Sequence, residues 1–142
     1  MKPESLHLAL DRGMSADLVD RLHAGVRALA ASQGVSQELR PQLELVVEEL
    51  CTNVMEHSGA AWLELSLACE QGRVWVRIND NGRPFDVLEG MQGSRFDLSK
   101  VEDRHLGLYM VEQLTRTIRR SRDAQGINRV EFEIHPDPDS GA

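Results

Sequence analysis

Glu49, Asn53 and His57 follow one another at intervals of four in the stretch VVEELCTNVMEHSG, Val46 to Gly59. On a helix, that interval stacks side chains along one edge. An acid and an amide one turn apart suit phosphoryl transfer. Mg²⁺ prefers oxygen ligands, keeps several waters and commonly takes few protein ligands together with phosphates. The amide oxygen of Asn53 would provide one such ligand without cancelling the metal's charge, and Glu49 would accept the proton of an attacking hydroxyl. Leu43, Val46, Val47, Leu50 and Val54 form an apolar stripe on the same helix. Asn53 borders that stripe, Glu49 lies slightly further out, and Glu48 falls on the other flank, so the spacing selects Glu49 as the acid. Taken alone, ExxxN is common and fits a solvated helix flank better than a site. His57 lies nearest the stripe and reads as packing for the helix end rather than as a catalyst.

Two further stretches bear on the same chemistry. In NDNGRPFD, Asn79 to Asp86, Asp80 leaves a buried strand where its carboxylate can face a pocket. An ionised Asp only accepts hydrogen bonds, so it favours a base edge bearing an amino group, such as that of adenine. Gly82 can take a positive φ or allow the close approach of a flat ring, and Pro84 and Phe85 turn the chain over it. DNG alone fits a plain turn after a strand equally well. In HLGLYMVEQL, His105 to Leu114, Gly107 stands where a loop enters a helix, and backbone N–H groups there can receive phosphate oxygens. A single glycine at a helix start is weak evidence.

The elements that must position these residues can be read from periodicity. Leu6, Leu8 and Leu10 alternate as a short first strand. A helix is predicted over 16–33, capped by Ser15 and stopped by Gly34. A second helix begins either with Ser36 as its cap or with Pro41 in its first turn. AWLELSLAC and RVWVRIND alternate as strands joined by a hairpin turn at Glu70-Gln71-Gly72, and RVEFEIH alternates as a last strand. A third helix is predicted over roughly 106–120, with Leu108, Val111, Leu114 and Ile118 on one side. Such alternation marks a largely antiparallel sheet with one wet face. Helices on the other face make an α+β fold, a two-layer α/β sandwich. The segment 86–104 has no convincing periodicity; a loop that long is usually functional, often a lid, or else hides an element. Residues 135–142 read as a frayed tail.

The 142 residues suffice for one domain with a real core. A net charge of −7 argues against nucleic acid or an anionic membrane as the main partner. No apolar run is long enough to span a bilayer, and the first residues lack the apolar centre of a signal peptide. The two cysteines, Cys51 and Cys69, match no metal-ligand spacing and read as reduced thiols of a cytoplasmic protein. The basic cluster Arg116, Arg119, Arg120 and Arg122 reads as cations complementing a helix C-terminus in preference to a binding patch.

A helix carrying ExxxNxxxH, then a strand ending DxGxPF, then a long loop and a GLxxV helix start, resembles the GHKL ATPase and kinase superfamily, the Bergerat or histidine-kinase-like ATP-binding fold. Within it the chain is most similar to the anti-sigma-factor serine/threonine kinases of bacterial partner-switching systems, over roughly Leu6 to Ile134. The resemblance implies an ATP site between the second and third helices under a mobile lid. Glu49 would be the general base and Asn53 the Mg²⁺ ligand. Asp80 would bind the adenine amino group and Gly82 would make room for the base. Gly107, followed by Leu108, would help hold the phosphates, and Arg104 is a candidate for γ-phosphate charge or else a surface arginine. It further implies a STAS-type anti-sigma-factor antagonist as substrate, a sigma factor or similar regulator as second partner, and a homodimer. One departure stands out: family members usually carry glycine where this chain has His105. The alternatives are a nucleotide-responsive binding module that sequesters its partner without transfer and, less favoured, the catalytic domain of a histidine kinase with His23 as acceptor.

Overall fold

Ser15 starts the first helix as its sequence predicts, its hydroxyl accepting from Leu18 N–H at 3.1 Å. The structure, a computed structural model, describes residues 2–10, 15–84 and 115–134. Within these the order is β1 (Glu4–Ala9), α1 (Ala16–Ser32), α2 (Arg40–His57), β2 (Trp62–Glu70), β3 (Arg73–Asp80), β4 (Arg116–Arg122) and β5 (Asn128–Ile134). Helix α1 ends in a Schellman turn. Gly34 N–H donates to Ala31 O and Val35 N–H to Ala30 O, with Gly34 at φ +71°. Helix α2 resolves the choice of start in favour of Pro41, which lies in the first turn, and no side chain caps it.

The five strands form one antiparallel sheet in the order β1-β2-β3-β5-β4. Strands β2 and β3 meet in a two-residue hairpin in which Gln71 and Gly72 both have positive φ, 53° and 77°. That is the backbone whose twist matches paired strands. Leu63, Leu65, Leu67, Val74, Val76, Ile78, Phe132 and Ile134 share one sheet face and are buried in a single core with Leu22, Val26, Leu43, Val47 and Leu50 of the helices. Burial of each such apolar side chain is worth roughly 1.5–3 kcal/mol. The exposed Arg27–Glu44 pair between the helices, at 3.3 Å, contributes at most about 1 kcal/mol. The apolar stripe therefore seats α2 on the sheet. On the outer face, Trp62 stacks on His7 with ring centroids 5.6 Å apart, and Trp75 is exposed.

The expected third helix is corrected in its last turn. Residues 116–122 are the edge strand β4, not helix. Helical spacing carried the reading from Leu114 onto Ile118, but Thr115, Thr117 and Ile118 are β-branched and favour a pleated backbone. An edge strand exposed on both faces shows no alternation to betray it. The arginines consequently do not complement a helix terminus: Arg119 lies across from Glu131 and Arg116 across from Glu133. Residues 106–114 of that predicted helix, the expected lid at 86–104 and the expected tail at 135–142 lie outside the described residues.

Candidate nucleotide site

Asp80 is the last residue of β3 and shares the inward face of Val74, Val76 and Ile78, so its carboxylate points towards the helix layer rather than to the wet side. It is 5% exposed. A buried carboxylate needs partners, and Asp80 Oδ1 accepts from Gly82 N–H at 2.8 Å and from Asn128 Nδ2 at 3.1 Å. Its Oδ2 accepts no hydrogen bond from the described residues. Leu50 and Val54 of α2 and Ser58, just past its end, line a small cleft with Asp80, Ile78 and Asn128. Beneath it Cys51 is fully buried, and burial followed by the charge of Asp80 drives its thiol far above the ordinary thiol range.

The C-terminus of α2 and the loop after β3 are stitched together. Gly59, with φ +66°, breaks the helix one residue past Ser58. Arg83 N–H then donates to Ser58 O at 2.8 Å and the Arg83 guanidinium to His57 O at 2.9 Å, satisfying carbonyls that a helix end leaves open. This holds the strand that carries Asp80 against the helix that carries Glu49 and Asn53.

Those two side chains occupy the flank of α2 turned from α1. Glu44 meets Arg27 and Glu48 meets His23, both on α1, at 3.3 and 3.2 Å. At about 100° per residue, Asn53 and Glu49 point well away from that pair. Asn53 is 3% exposed. Its Nδ2 is buried without a hydrogen bond of good geometry among the described residues. It nevertheless lies close enough to the Glu49 carboxylate to favour the ionised form. The balance runs the other way: burial raises the Glu49 pKa most, Asn53 lowers it in part, and the charges of Glu48 and Glu56 raise it further. A carboxylate tuned upward beside a buried amide is a stronger proton acceptor than an ordinary one.

Of the residues singled out from the sequence, Glu49, Asn53, Asp80 and Gly82 are therefore on α2 and the adjoining end of β3. Arg104, Gly107 and Leu108, with His105, lie outside the described residues. His57 packs at the helix end and its Nε2 lies 3.3 Å from Glu56. Asn128 was missed, and Arg122 was read only as part of the basic cluster. Nothing in the sequence links the two to Asp80, because what matters is the register that sets Asn128 opposite Asp80. Among the described residues no cluster of three or more acidic, histidine or cysteine side chains could hold a metal. An ion held by one amide oxygen and nucleotide phosphates would need none, and the buried Asn53 side chain carries such an oxygen.

Residues 14–134 match the family described as the histidine kinase-like ATPase domain, and the chain belongs to that family. A search among curated proteins finds no match. Among solved structures, the chain is similar to the RsbU and RsbW domains of Rv1364c from Mycobacterium tuberculosis. That match has 18% identity and a TM-score of 0.59, over 93% of this chain and 32% of that one. It is also similar to a chain of the SiaB–SiaC complex from Pseudomonas aeruginosa, with 14% identity and a TM-score of 0.60, over 91% of this chain and 88% of that one. At such identities the likeness is one of fold. No helix among the described residues is long and apolar enough to cross a membrane.

Proposed function

We propose that the chain is an ATP-dependent serine/threonine protein kinase of a bacterial partner-switching system. It would phosphorylate a serine on a STAS-type anti-sigma-factor antagonist and, in its other state, hold a sigma factor or analogous regulator, acting as a homodimer in the cytoplasm. The observation that carries the reading is the pairing of Glu49, tuned upward, with the buried and underused amide of Asn53 on one flank of α2. A pure binding module has no need of a raised carboxylate there. The family, and the shared fold with proteins whose names include an RsbW domain and a SiaB–SiaC complex, support the partner-switching setting.

In this reading Asp80 accepts from the exocyclic amino group of adenine, and Gly82 makes room for the base. Asn53 holds Mg²⁺, whose chemistry is to neutralise the phosphate charge. Glu49 takes the proton of the substrate serine as its oxygen attacks. Arg104, Gly107 and Leu108 are assigned to the phosphates. Transfer would rest on positioning and charge neutralisation.

Incubation with labelled ATP and candidate STAS-domain proteins tests this. Phosphoserine on the antagonist, lost in Glu49→Gln while ATP binding persists, is the expected outcome; no transfer by wild-type protein to any antagonist that it binds would favour the sequestering module. ATP titration with and without Mg²⁺ on wild type and Asp80→Ala tests the base pocket, which is wrong if both bind alike. The histidine-kinase reading is disfavoured by His23, half-buried against Glu48 between α1 and α2.

A further inference from the structure

Asn128 opens β5 directly across from Asp80. Its Nδ2 donates to Asp80 Oδ1 at 3.1 Å, to Gly82 O at 3.0 Å and to Arg83 O at 3.3 Å. Its Oδ1 accepts from the Arg122 guanidinium at 2.8 Å. These neighbours fix which way the amide points, since three acceptors surround the nitrogen and one donor faces the oxygen. Turned over, the amide would press its oxygen against a carboxylate and two carbonyls. Gly82 N–H donates to the same Asp80 oxygen at 2.8 Å. Two donors from different directions pin Oδ1, and because a carboxylate is planar they also decide where Oδ2 points.

We infer that Asn128, itself held by Arg122, is a positioning residue that makes Asp80 selective for a purine carrying an amino group. Without the latch, the Asp80 carboxylate can rotate about its last bond and turn either oxygen into the cleft, where an amino donor loses its aligned acceptor. Two of the Asn128 bonds, to Gly82 O and Arg83 O, tie the 82–83 backbone to β5 and the third holds Asp80, so the latch fixes the floor of the pocket and its acceptor together. Arg122 stands on the edge strand and is exposed, which means that its contribution can be removed without touching the core. The inference rests on the proposed role of Asp80 as the base acceptor.

The test compares binding of ATP with binding of purine riboside triphosphate, which lacks the 6-amino group, by calorimetry on wild type, Asn128→Ala and Arg122→Gln. Wild-type protein is expected to prefer ATP by about tenfold to a hundredfold, the worth of a hydrogen bond to a charged group. In Asn128→Ala the preference should shrink to about threefold or less, with the analogue bound nearly as before; Arg122→Gln should fall between. A residue that merely supported the fold would weaken both nucleotides alike and leave their ratio intact. Wild-type preference retained in full by Asn128→Ala overturns the inference while sparing the role of Asp80. If Asn128→Ala does not fold, Arg122→Gln decides in the same way. Equal affinity of the two nucleotides for wild type overturns the base-pocket reading itself, and the latch with it.

Discussion

A β-carbon placed on Gly82 would lie 2.5 Å from Ser58 Oγ and 2.6 Å from Ser58 O. The glycine is required by the approach of the β3 loop to the end of α2, since its φ is not among the positive values. The same contact brings Asp80 beside the helix that carries Glu49 and Asn53.

Gly82→Ala should therefore destabilise the protein by about 1–3 kcal/mol, the usual cost of forcing an extra methyl into a close contact. It should also weaken ATP binding, because the loop must retreat and Gly82 N–H leaves Asp80 Oδ1. Ser58→Gly in the same chain removes the hydroxyl clash but not the carbonyl, so it should restore part of the loss. Urea midpoints of the three proteins measure this. A Gly82→Ala protein as stable as wild type would mean that the loop does not close on Ser58 in solution.

Glu49→Gln separates chemistry from fold. Loss of a general base costs about 10²–10⁴-fold in rate, so transfer should drop by that factor with ATP affinity little changed. Stability should move the other way. The folded state raises the Glu49 pKa above its ordinary value of 4.5, so burying the ionised form is a penalty that glutamine removes. Melting temperatures at pH 8 should show the variant equal to or above wild type; a clear fall would make Glu49 a structural residue.

Helix α2 and its site flank were legible because an amphipathic helix has a strict angular rule, and that rule separates Glu49 from Glu48 without any coordinates. Strands β2, β3 and β5 were legible for the same reason with a period of two, and the parity of Val74, Val76 and Ile78 already aims Asp80 inward. Strand β4 was not, since an edge strand rich in arginine buries little and leaves no periodic trace. Asn128 was invisible for a different reason: its function is a cross-strand register, which depends on how the β4–β5 turn and the sheet order fall. The role of Gly82 was half legible, as a glycine needing space, with Ser58 as the neighbour that needs it.

The pH dependence follows from the same shift. The base must be ionised, so transfer should rise with pH through the raised Glu49 pKa and level off above it, and be lost as pH falls through that value. Stability linked to Glu49 has the opposite sign. Between 4.5 and the folded-state pKa the folded protein holds more protons than the unfolded chain, so this contribution declines as pH rises. A rate profile whose acid limb lies at or below the ordinary carboxylate value would contradict the burial of Glu49.

Asn53→Ala tests the amide from both of its sides. Its Nδ2 is buried without a good hydrogen bond among the described residues, and a partnerless buried donor costs free energy, so deleting it should change stability by no more than about 1 kcal/mol. For an ordinary buried asparagine with satisfied bonds the loss would be larger. Among the described residues Asn53 is also the one neighbour that lowers the Glu49 pKa, so its removal should move the acid limb of the rate profile to higher pH. If its oxygen holds Mg²⁺, the gain in ATP affinity on adding Mg²⁺ should shrink in the variant while Mg²⁺-free binding stays as in wild type. A fold that tolerates the change, an acid limb that moves up and a lost metal response together require the amide to face both the carboxylate and the nucleotide. A variant that keeps the full Mg²⁺ response removes Asn53 from the metal and leaves it only as a neighbour of the base.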